Sequence, residues 1–378
     1  MKWRIRDLLN PVVTRSMIYG ADPFDIEYVL QKVDKIEKMS GKEVKNVWFG
    51  EWARKAQNYL KNAVKSEKKG RTISAREYYM MTAQCCYACY MINTDDIKLK
   101  RDIYNCLAKY YKKAVSLRNN LVEYVEIPFG DAVIPAYLHF PDNCKSGKRY
   151  PCVMTYSGIG SCKEELDMLA LPLNERGIAV LCVDMPGTGS ALFDHDLKCN
   201  GTVIESAFKA MYNYLVNRSD IDAENLANYG LCMGGGYAFR ASSLIPDVKC
   251  CVSLFPLLID IADINSVPIW MKHGKWAVYQ YGIADATDFL NGMRTLGQGG
   301  ISCDFLIVHS ADDNWMNTDA TMNIFNRANG YKERLLIVEK PAYVSEETIM
   351  HAMPVGEQFH WVKHIASDFI AERLIMGD

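Results

Sequence analysis

The chain has 378 residues, of which 49% are hydrophobic and 23% charged, and its formal net charge is −2. These values are typical of a globular protein of about two domains, and they exclude the strongly basic surface of a nucleic-acid-binding protein. The N-terminal segment lacks the apolar core of a signal peptide, and no run reaches about 18 apolar residues, so the sequence predicts a cytoplasmic protein that does not cross a membrane.

Residues 1–120 contain no convincing strand. Apolar residues recur at helical spacing through several segments separated by polar turns, which predicts an all-helical domain. Cys85, Cys86 and Cys89 invite a zinc site, but no second pair of ligands follows at zinc spacing and the segment resembles the apolar body of a helix. The thirteen cysteines are scattered along the chain, and reduced, buried thiols are expected.

The hydrophobic period changes at about residue 121. The segment 121–140 alternates around a Gly-Asp turn, which predicts a hairpin, and short apolar runs then alternate with helical segments up to the C-terminus. This pattern is typical of an α/β protein with a mainly parallel, doubly wound sheet. Residues 121–378 therefore form the predicted catalytic domain, in which 256–300 is a long excursion expected near the pocket.

The segment YGLCMGGGY has the spacing of a nucleophile elbow, a sharp turn between a strand and a helix, with Cys232 at the nucleophile position. Gly230 and Gly234 would relieve crowding around the turn, the helix N-terminus would favour the thiolate, and the Met233 N–H would face a developing oxyanion. The alternative is a packed cysteine beside a glycine-rich turn.

An elbow of this kind predicts a downstream acid and then a histidine. Asp313 follows an apolar strand at the expected place, with Asp312 as its neighbouring rival. His351 follows the next strand and precedes the last helix, which is the expected place for the base. Packing or surface roles are expected for His309, His360 and His364.

A second oxyanion donor is expected in the loop after the strand that contains Cys152. The sequence Gly158-Ile159-Gly160 provides it, with the Ile159 N–H as the candidate. The charged residues Lys163, Glu164 and Glu165 follow this loop, and they either begin a helix or reach the substrate. The later glycine loop DMPGTGS lacks the third glycine of a dinucleotide site, and neither a metal nor an organic cofactor is predicted.

Several of these motifs resemble the FrsA-like α/β-hydrolases, the group of 2,6-dihydroxypseudooxynicotine hydrolase. YSGIGSCKEEL is similar to the G-x-x-S-x-K-E-E stretch of that group, and RGIAVLCVDMPGTGSA is similar to its R-G-x-A-x-x-x-x-D-x-P-G-x-G-x-S region. The resemblance spans nearly the whole chain. It implies an α/β-hydrolase fold with an N-terminal helical lid, and an enzyme of secondary metabolism that cleaves C–C, ester or thioester bonds next to a carbonyl.

Cys232 departs from the family, which has serine there. Cysteine is the nucleophile in the dienelactone hydrolases and in the bacterial Dieckmann cyclases, which this chain resembles in its Cys-Asp-His set. The resemblance implies acyl transfer through Cys232, Asp313 and His351, ending in hydrolysis or in cyclisation to a tetramate or tetronate. The substrate would be a small acyl compound, free or bound to a carrier protein or coenzyme A, and a homodimer is left open. A non-catalytic binding protein and a redox role are the alternatives from other classes.

Overall fold

The computed structural model describes residues 5–34, 41–92, 96–142, 144–258, 299–313, 316–338 and 357–375. The chain divides into two compact units, and the division falls between Asn119 and Asn120. Within the described residues, no helix is long and apolar enough to cross a membrane.

The first unit is built from five helices, and no strand occurs in its described residues. They are α1 (Ile5–Ile18), α2 (Pro23–Asp34), α3 (Gly41–Glu67), α4 (Thr72–Ile92) and α5 (Ile97–Val115). Helix α4 packs against both α3 and α5. Asp96 begins α5 by accepting a hydrogen bond from the Leu99 N–H, which satisfies one of the free amides of the first turn.

The core of the first unit is rich in aromatic side chains and cysteines. Trp48 and Trp52 on α3 are almost fully buried, and the Trp48 Nε1–H donates to the Ala88 carbonyl on α4 at 3.0 Å. Cys85 and Cys89 lie in the same apolar core. These residues of α3 and α4 therefore serve helix packing, as the apolar pattern of the helix predicts.

The second unit is organised around one eight-stranded sheet. Its strands are β1 (Val122–Phe129), β2 (Ala132–His139), β3 (Tyr150–Tyr156), β4 (Ala179–Val183), β5 (Ile221–Leu231), β6 (Cys250–Leu254), β7 (Asp304–Ser310) and β8 (Lys332–Ile337). Their order is β1-β2-β4-β3-β5-β6-β7-β8. Strands β3 to β8 are parallel to one another, which confirms the predicted mainly parallel sheet.

Strands β1 and β2 form the predicted hairpin, and β2 pairs antiparallel with β4. Gly130 in the hairpin turn has φ +58°, a conformation that glycine adopts at little cost. His139 ends β2 opposite Val180, near the start of β4. His139 therefore lies near the edge where the parallel strands begin, away from the edge where they end.

Six α-helices of the second unit are described: α6 (Asp167–Glu175), α7 (Gly189–Phe193), α8 (Gly201–Val216), α9 (Met233–Leu244), α10 (Thr318–Asn326) and α11 (Glu357–Leu374). A short 3₁₀ helix, Lys163–Leu166, precedes α6. Helix α9 packs on β3, β5 and β6. Since β3, β5, β6 and β7 are parallel, the segments that follow them meet at one edge of the sheet, and this edge carries the candidate site.

Candidate active site

Cys232 occupies a sharp bend between the end of β5 and the start of α9. Its backbone angles are φ +60° and ψ −125°, a region that residues other than glycine rarely adopt and that costs on the order of 1–3 kcal/mol. The bend is held from both sides: the Cys232 N–H donates to the Leu254 carbonyl at 2.9 Å, and the Leu257 N–H donates to the Cys232 carbonyl at 2.9 Å. The chain thus maintains a strained backbone at the position of the predicted nucleophile.

The glycines two positions on either side of Cys232 have no space for a side chain. A Cβ atom on Gly230 would overlap the Gly234 carbonyl, and one on Gly234 would overlap the Tyr156 carbonyl at the end of β3. The elbow therefore needs glycine at both positions because backbone atoms lie in direct contact there. The contact with Tyr156 also places the start of α9 against the end of β3.

The first turn of α9 directs its amides towards the bend. The Cys232 carbonyl accepts from the Gly235 N–H at 2.9 Å and from the Gly236 N–H at 3.3 Å. Met233 is the first residue of α9, so the helix itself offers no carbonyl to its N–H. An anion at this helix end would be stabilised by the helix dipole and by such amides.

Most other cysteines are buried thiols with little nucleophilic character. Burial raises the pKa of Cys152 and Cys199 to about 12 and that of Cys303 to about 11. Burial likewise raises the pKa of Cys85, Cys89, Cys162, Cys250 and Cys251, and it also raises that of Cys86, which is partly exposed. Because the thiolate is the reactive form, these positions are not competitors of Cys232.

Asp313 follows β7 at the same edge of the sheet as Cys232. Its side chain is only 4% exposed, and its Oδ1 accepts a hydrogen bond from the Met316 N–H at 2.9 Å. Asp312, its rival, is partly exposed. A buried carboxylate that is oriented by a backbone amide is suited to hold a histidine ring, as the acid of a triad does.

The predicted base, His351, lies outside the described residues. His309, at the end of β7, is buried, and its Nδ1 lies 3.0 Å from the Thr321 hydroxyl of α10. Burial, assisted by the charge of Arg334 and opposed by that of Asp313, lowers the pKa of His309 to about 4. His309 is therefore a neutral packed residue, and His360 and His364 on α11 are exposed.

The low pKa of His309 predicts acid sensitivity. Between pH 6.5, the ordinary value, and about 4, the unfolded chain binds a proton at this residue that the folded chain does not. As the pH is lowered through this window, the free energy of unfolding should decrease by up to about 3 kcal/mol. Urea unfolding at pH 7 and at pH 4.5 measures this decrease. The decrease should be smaller in His309→Gln by the contribution of His309, whereas His360→Gln, at an exposed position, should show the same decrease as wild type. An unchanged pH dependence in His309→Gln would contradict the assignment.

The loop after β3 contains the second predicted oxyanion donor. The Ser161 N–H donates to the Gly158 carbonyl at 3.3 Å, which closes a turn with Ile159 and Gly160 at its centre. Gly160 has φ +74°, as the third residue of a type II turn requires. Because the elbow contacts Tyr156 and Ser157, Ile159 and Met233 belong to adjoining segments of the same edge.

Lys163, Glu164 and Glu165 do begin a helix, as one reading of the sequence predicted, but they are not solvated. All three are at most 1% exposed. The Lys163 Nζ lies 2.7 Å from Asp184 Oδ2 and 3.0 Å from Glu164 Oε1. Burial raises the pKa of Glu164, while the charge of Lys163 opposes the shift.

The sequence did not predict that Asp184 lies beside Lys163 and Glu164. It directly follows the apolar strand β4 and opens the glycine loop DMPGTGS. An acidic residue immediately after a buried parallel strand is the signal that would have indicated it, because such positions lie at the functional edge of the sheet.

Comparison with known proteins identifies the family. The family described as "Esterase FrsA-like" matches residues 20–269. The chain is 29% identical over 247 residues to the alpha/beta hydrolase xenA of Xenoacremonium sinensis, a match that covers 63% of this chain and 56% of that protein. It is 32% identical over 258 residues to the hydrolase ORFZ of Pyricularia oryzae, covering 64% and 58%. The match to 2,6-dihydropseudooxynicotine hydrolase of Paenarthrobacter nicotinovorans is 25% over 206 residues and covers 54% of each. The chain thus spans a little over half the length of the curated relatives it matches.

Solved structures establish the fold. The crystal structure of 2,6-dihydroxy-pseudo-oxynicotine hydrolase is similar with a TM-score of 0.78 at 18% identity, covering 97% of this chain and 96% of that one. An esterase from Pyrobaculum calidifontis is similar with a TM-score of 0.51 at 17% identity, covering 73% and 93%. These likenesses confirm the predicted α/β-hydrolase fold. The family match over residues 20–269, which is more than half of the chain, leads to one conclusion: the chain belongs to the FrsA-like esterase family.

Proposed function

We propose that this chain is an acyl-transfer enzyme that forms a covalent acyl-cysteine on Cys232. One observation carries the proposal: a cysteine, rather than a packed apolar residue, stands at a strained bend with φ +60° where a helix begins. Strain of this kind persists at functional sites because the surrounding contacts enforce it. The similar proteins named above, which are hydrolases and an esterase, agree with this class of chemistry.

The proposed reaction has two steps. In the first, the Cys232 sulfur attacks the acyl carbon of an ester or thioester, His351 takes the thiol proton, and the alcohol or thiol leaves with that proton. Asp313 orients the imidazole and stabilises its positive charge. The tetrahedral oxyanion is stabilised by the amides of Met233 and Ile159, each contributing about 3 kcal/mol if preorganised.

In the second step, the acyl-cysteine is released to an acceptor. Water yields an acid, whereas a nucleophile within the acyl group yields a ring, as in a Dieckmann cyclisation to a tetramate or tetronate. A thioester favours both outcomes because thiolate is a good leaving group. The substrate class is a small acyl compound of secondary metabolism, free or bound to a carrier protein or coenzyme A.

Product mass separates the two outcomes. The probes are p-nitrophenyl acetate, which can only be hydrolysed, and the N-acetylcysteamine thioester of an N-(3-oxoacyl)glycine, which can also cyclise. Hydrolysis of the second probe adds one water to the acyl group, and cyclisation adds none. We expect turnover of at least one probe, with Cys106→Ala equal to wild type because Cys106 is an exposed helix residue of the first unit. If neither probe is turned over and neither labels Cys232, a non-catalytic binding protein becomes the better account.

A further inference from the structure

A fully buried ionic network lies directly after the loop that contains Ile159. The Lys163 ammonium contacts Asp184 Oδ2 at 2.7 Å, Glu164 Oε1 at 3.0 Å and the Ser190 hydroxyl at 2.8 Å. Lys163, Glu164, Asp184 and Ser190 are at most 4% exposed. Charges buried to this degree are costly, and a buried ion pair commonly gives no more stability than a packed apolar pair. The network therefore calls for an explanation other than stability.

The Asp184 carboxylate joins two backbone segments as well as two side chains. Its Oδ1 accepts from the Lys163 N–H at 2.7 Å, and its Oδ2 accepts from the Ser190 N–H and hydroxyl, both at 2.9 Å. A Cβ atom on Gly189, which has φ +44°, would overlap this carboxylate. The start of the 3₁₀ helix and the start of α7 are thus both fixed to the end of β4.

The loop formed by residues 157–162 is consequently held at both ends. At its near end, the elbow glycine Gly234 is in direct backbone contact with Tyr156 and Ser157. At its far end, Lys163 is bound to Asp184 through both its main-chain amide and its ammonium. Ile159 lies in the turn between these two anchors. An oxyanion donor gives its full benefit only when it is preorganised, so the position of this turn matters for the rate.

We propose that the Lys163–Asp184 ion pair is a positioning device that holds the Ile159 amide in place for the oxyanion. The inference rests on the proposed function. Neither side chain needs to touch the substrate, because the pair acts through the loop that it anchors. Its removal should slow reactions that pass through a tetrahedral oxyanion and spare reactions at the same sulfur that do not.

Two reactions of Cys232 provide that distinction. Acylation by p-nitrophenyl acetate passes through a tetrahedral oxyanion. Alkylation by iodoacetamide is a direct displacement of iodide at carbon and involves no oxyanion. Both reactions are measured on the full chain by mass spectrometry of the peptide that contains Cys232. Peptide resolution is needed because Cys106 and Cys144 are also accessible to the reagents. In Lys163→Met we expect the acylation rate to fall about 10²-fold, with the alkylation rate within about threefold of wild type.

The matched control is Arg218→Met. Arg218 forms a partly buried ion pair with Asp220 at 2.6 Å and with Glu123 at 2.9 Å, near the start of β5 and away from the site edge. Its loss should leave both reaction rates unchanged. If Lys163→Met does not fold, Ser190→Ala, which removes one hydroxyl from the network, should show a smaller acylation-selective loss of a few fold.

The results separate this inference from the proposed function. Equal losses in acylation and alkylation, or no loss in acylation, in the folded variant would overturn the positioning role even when Cys232 is acylated in wild type. Absence of any acyl group on Cys232 in wild type would instead overturn the proposed function, whatever the behaviour of Lys163→Met.

Discussion

Replacing Cys232 with alanine is expected to reduce turnover of acyl substrates by on the order of 10⁴-fold or more. The sulfur is the atom that forms the covalent intermediate, and removal of a nucleophile eliminates that route entirely. The substitution leaves the backbone bend with a β-carbon in place, so folding should be retained. Steady-state kinetics with p-nitrophenyl acetate, accompanied by the thermal unfolding midpoint, measure the effect.

Two further variants sharpen this result. Cys232→Ser restores the residue that the family resemblance leads one to expect, and it should keep more ester hydrolysis than Cys232→Ala. Cys144→Ala removes a partly exposed cysteine from the same unit and should leave turnover unchanged. A Cys232→Ala protein that turns over substrate at a rate close to that of wild type would refute the assignment of the nucleophile.

Asp313→Asn is expected to reduce turnover by on the order of 10⁴-fold, because the amide supports the wrong histidine tautomer and leaves the imidazolium without a negative charge. The Met316 N–H can still donate to the side-chain oxygen of an asparagine, so the loop should keep its shape. Kinetics of the purified variant test this expectation, together with a parallel His351→Ala preparation.

Asp312→Asn is the matched control for Asp313→Asn. The two residues are adjacent and are both aspartates, but Asp312 is partly exposed, whereas Asp313 is buried. We expect turnover in Asp312→Asn to remain within a few fold of wild type. A larger loss in Asp312→Asn than in Asp313→Asn would reverse the assignment.

A double variant tests whether Asp313 and His351 act together. Combining Asp313→Asn with His351→Ala should reduce turnover little more than His351→Ala alone, because the effects of residues that act as one unit are not additive.

Much of the fold is encoded locally and could be predicted. The hairpin of β1 and β2 has alternating residues and a Gly-Asp turn, and the elbow has a glycine on each side of Cys232 because backbone atoms contact there. The polar first half of β5 could not be recognised, since only Tyr150 pairs with Ile221 before the register shifts and residues 222–225 are partly or fully exposed. Strands are recognised in a sequence by their pattern of buried apolar residues, and this part of β5 contains few buried residues.

The ionic network was beyond sequence analysis for a different reason. Lys163 and Asp184 are 21 positions apart, and a lysine followed by two glutamates looks the same whether it begins a solvated helix or enters a core. Only the sheet order, which sets β3 beside β4, brings the two residues together. Burial of charge depends on such long-range contacts, and composition does not reveal it.

The most direct test of the central claim is rapid-quench mass spectrometry of the full chain with an acyl thioester, followed by peptide mapping. The account predicts an acyl mass increment on the peptide that contains Cys232, formed within the turnover time and removed by hydroxylamine, and its build-up in His351→Ala should be slow. Turnover without any acyl group on Cys232, or with the acyl group confined to another cysteine, would contradict the account.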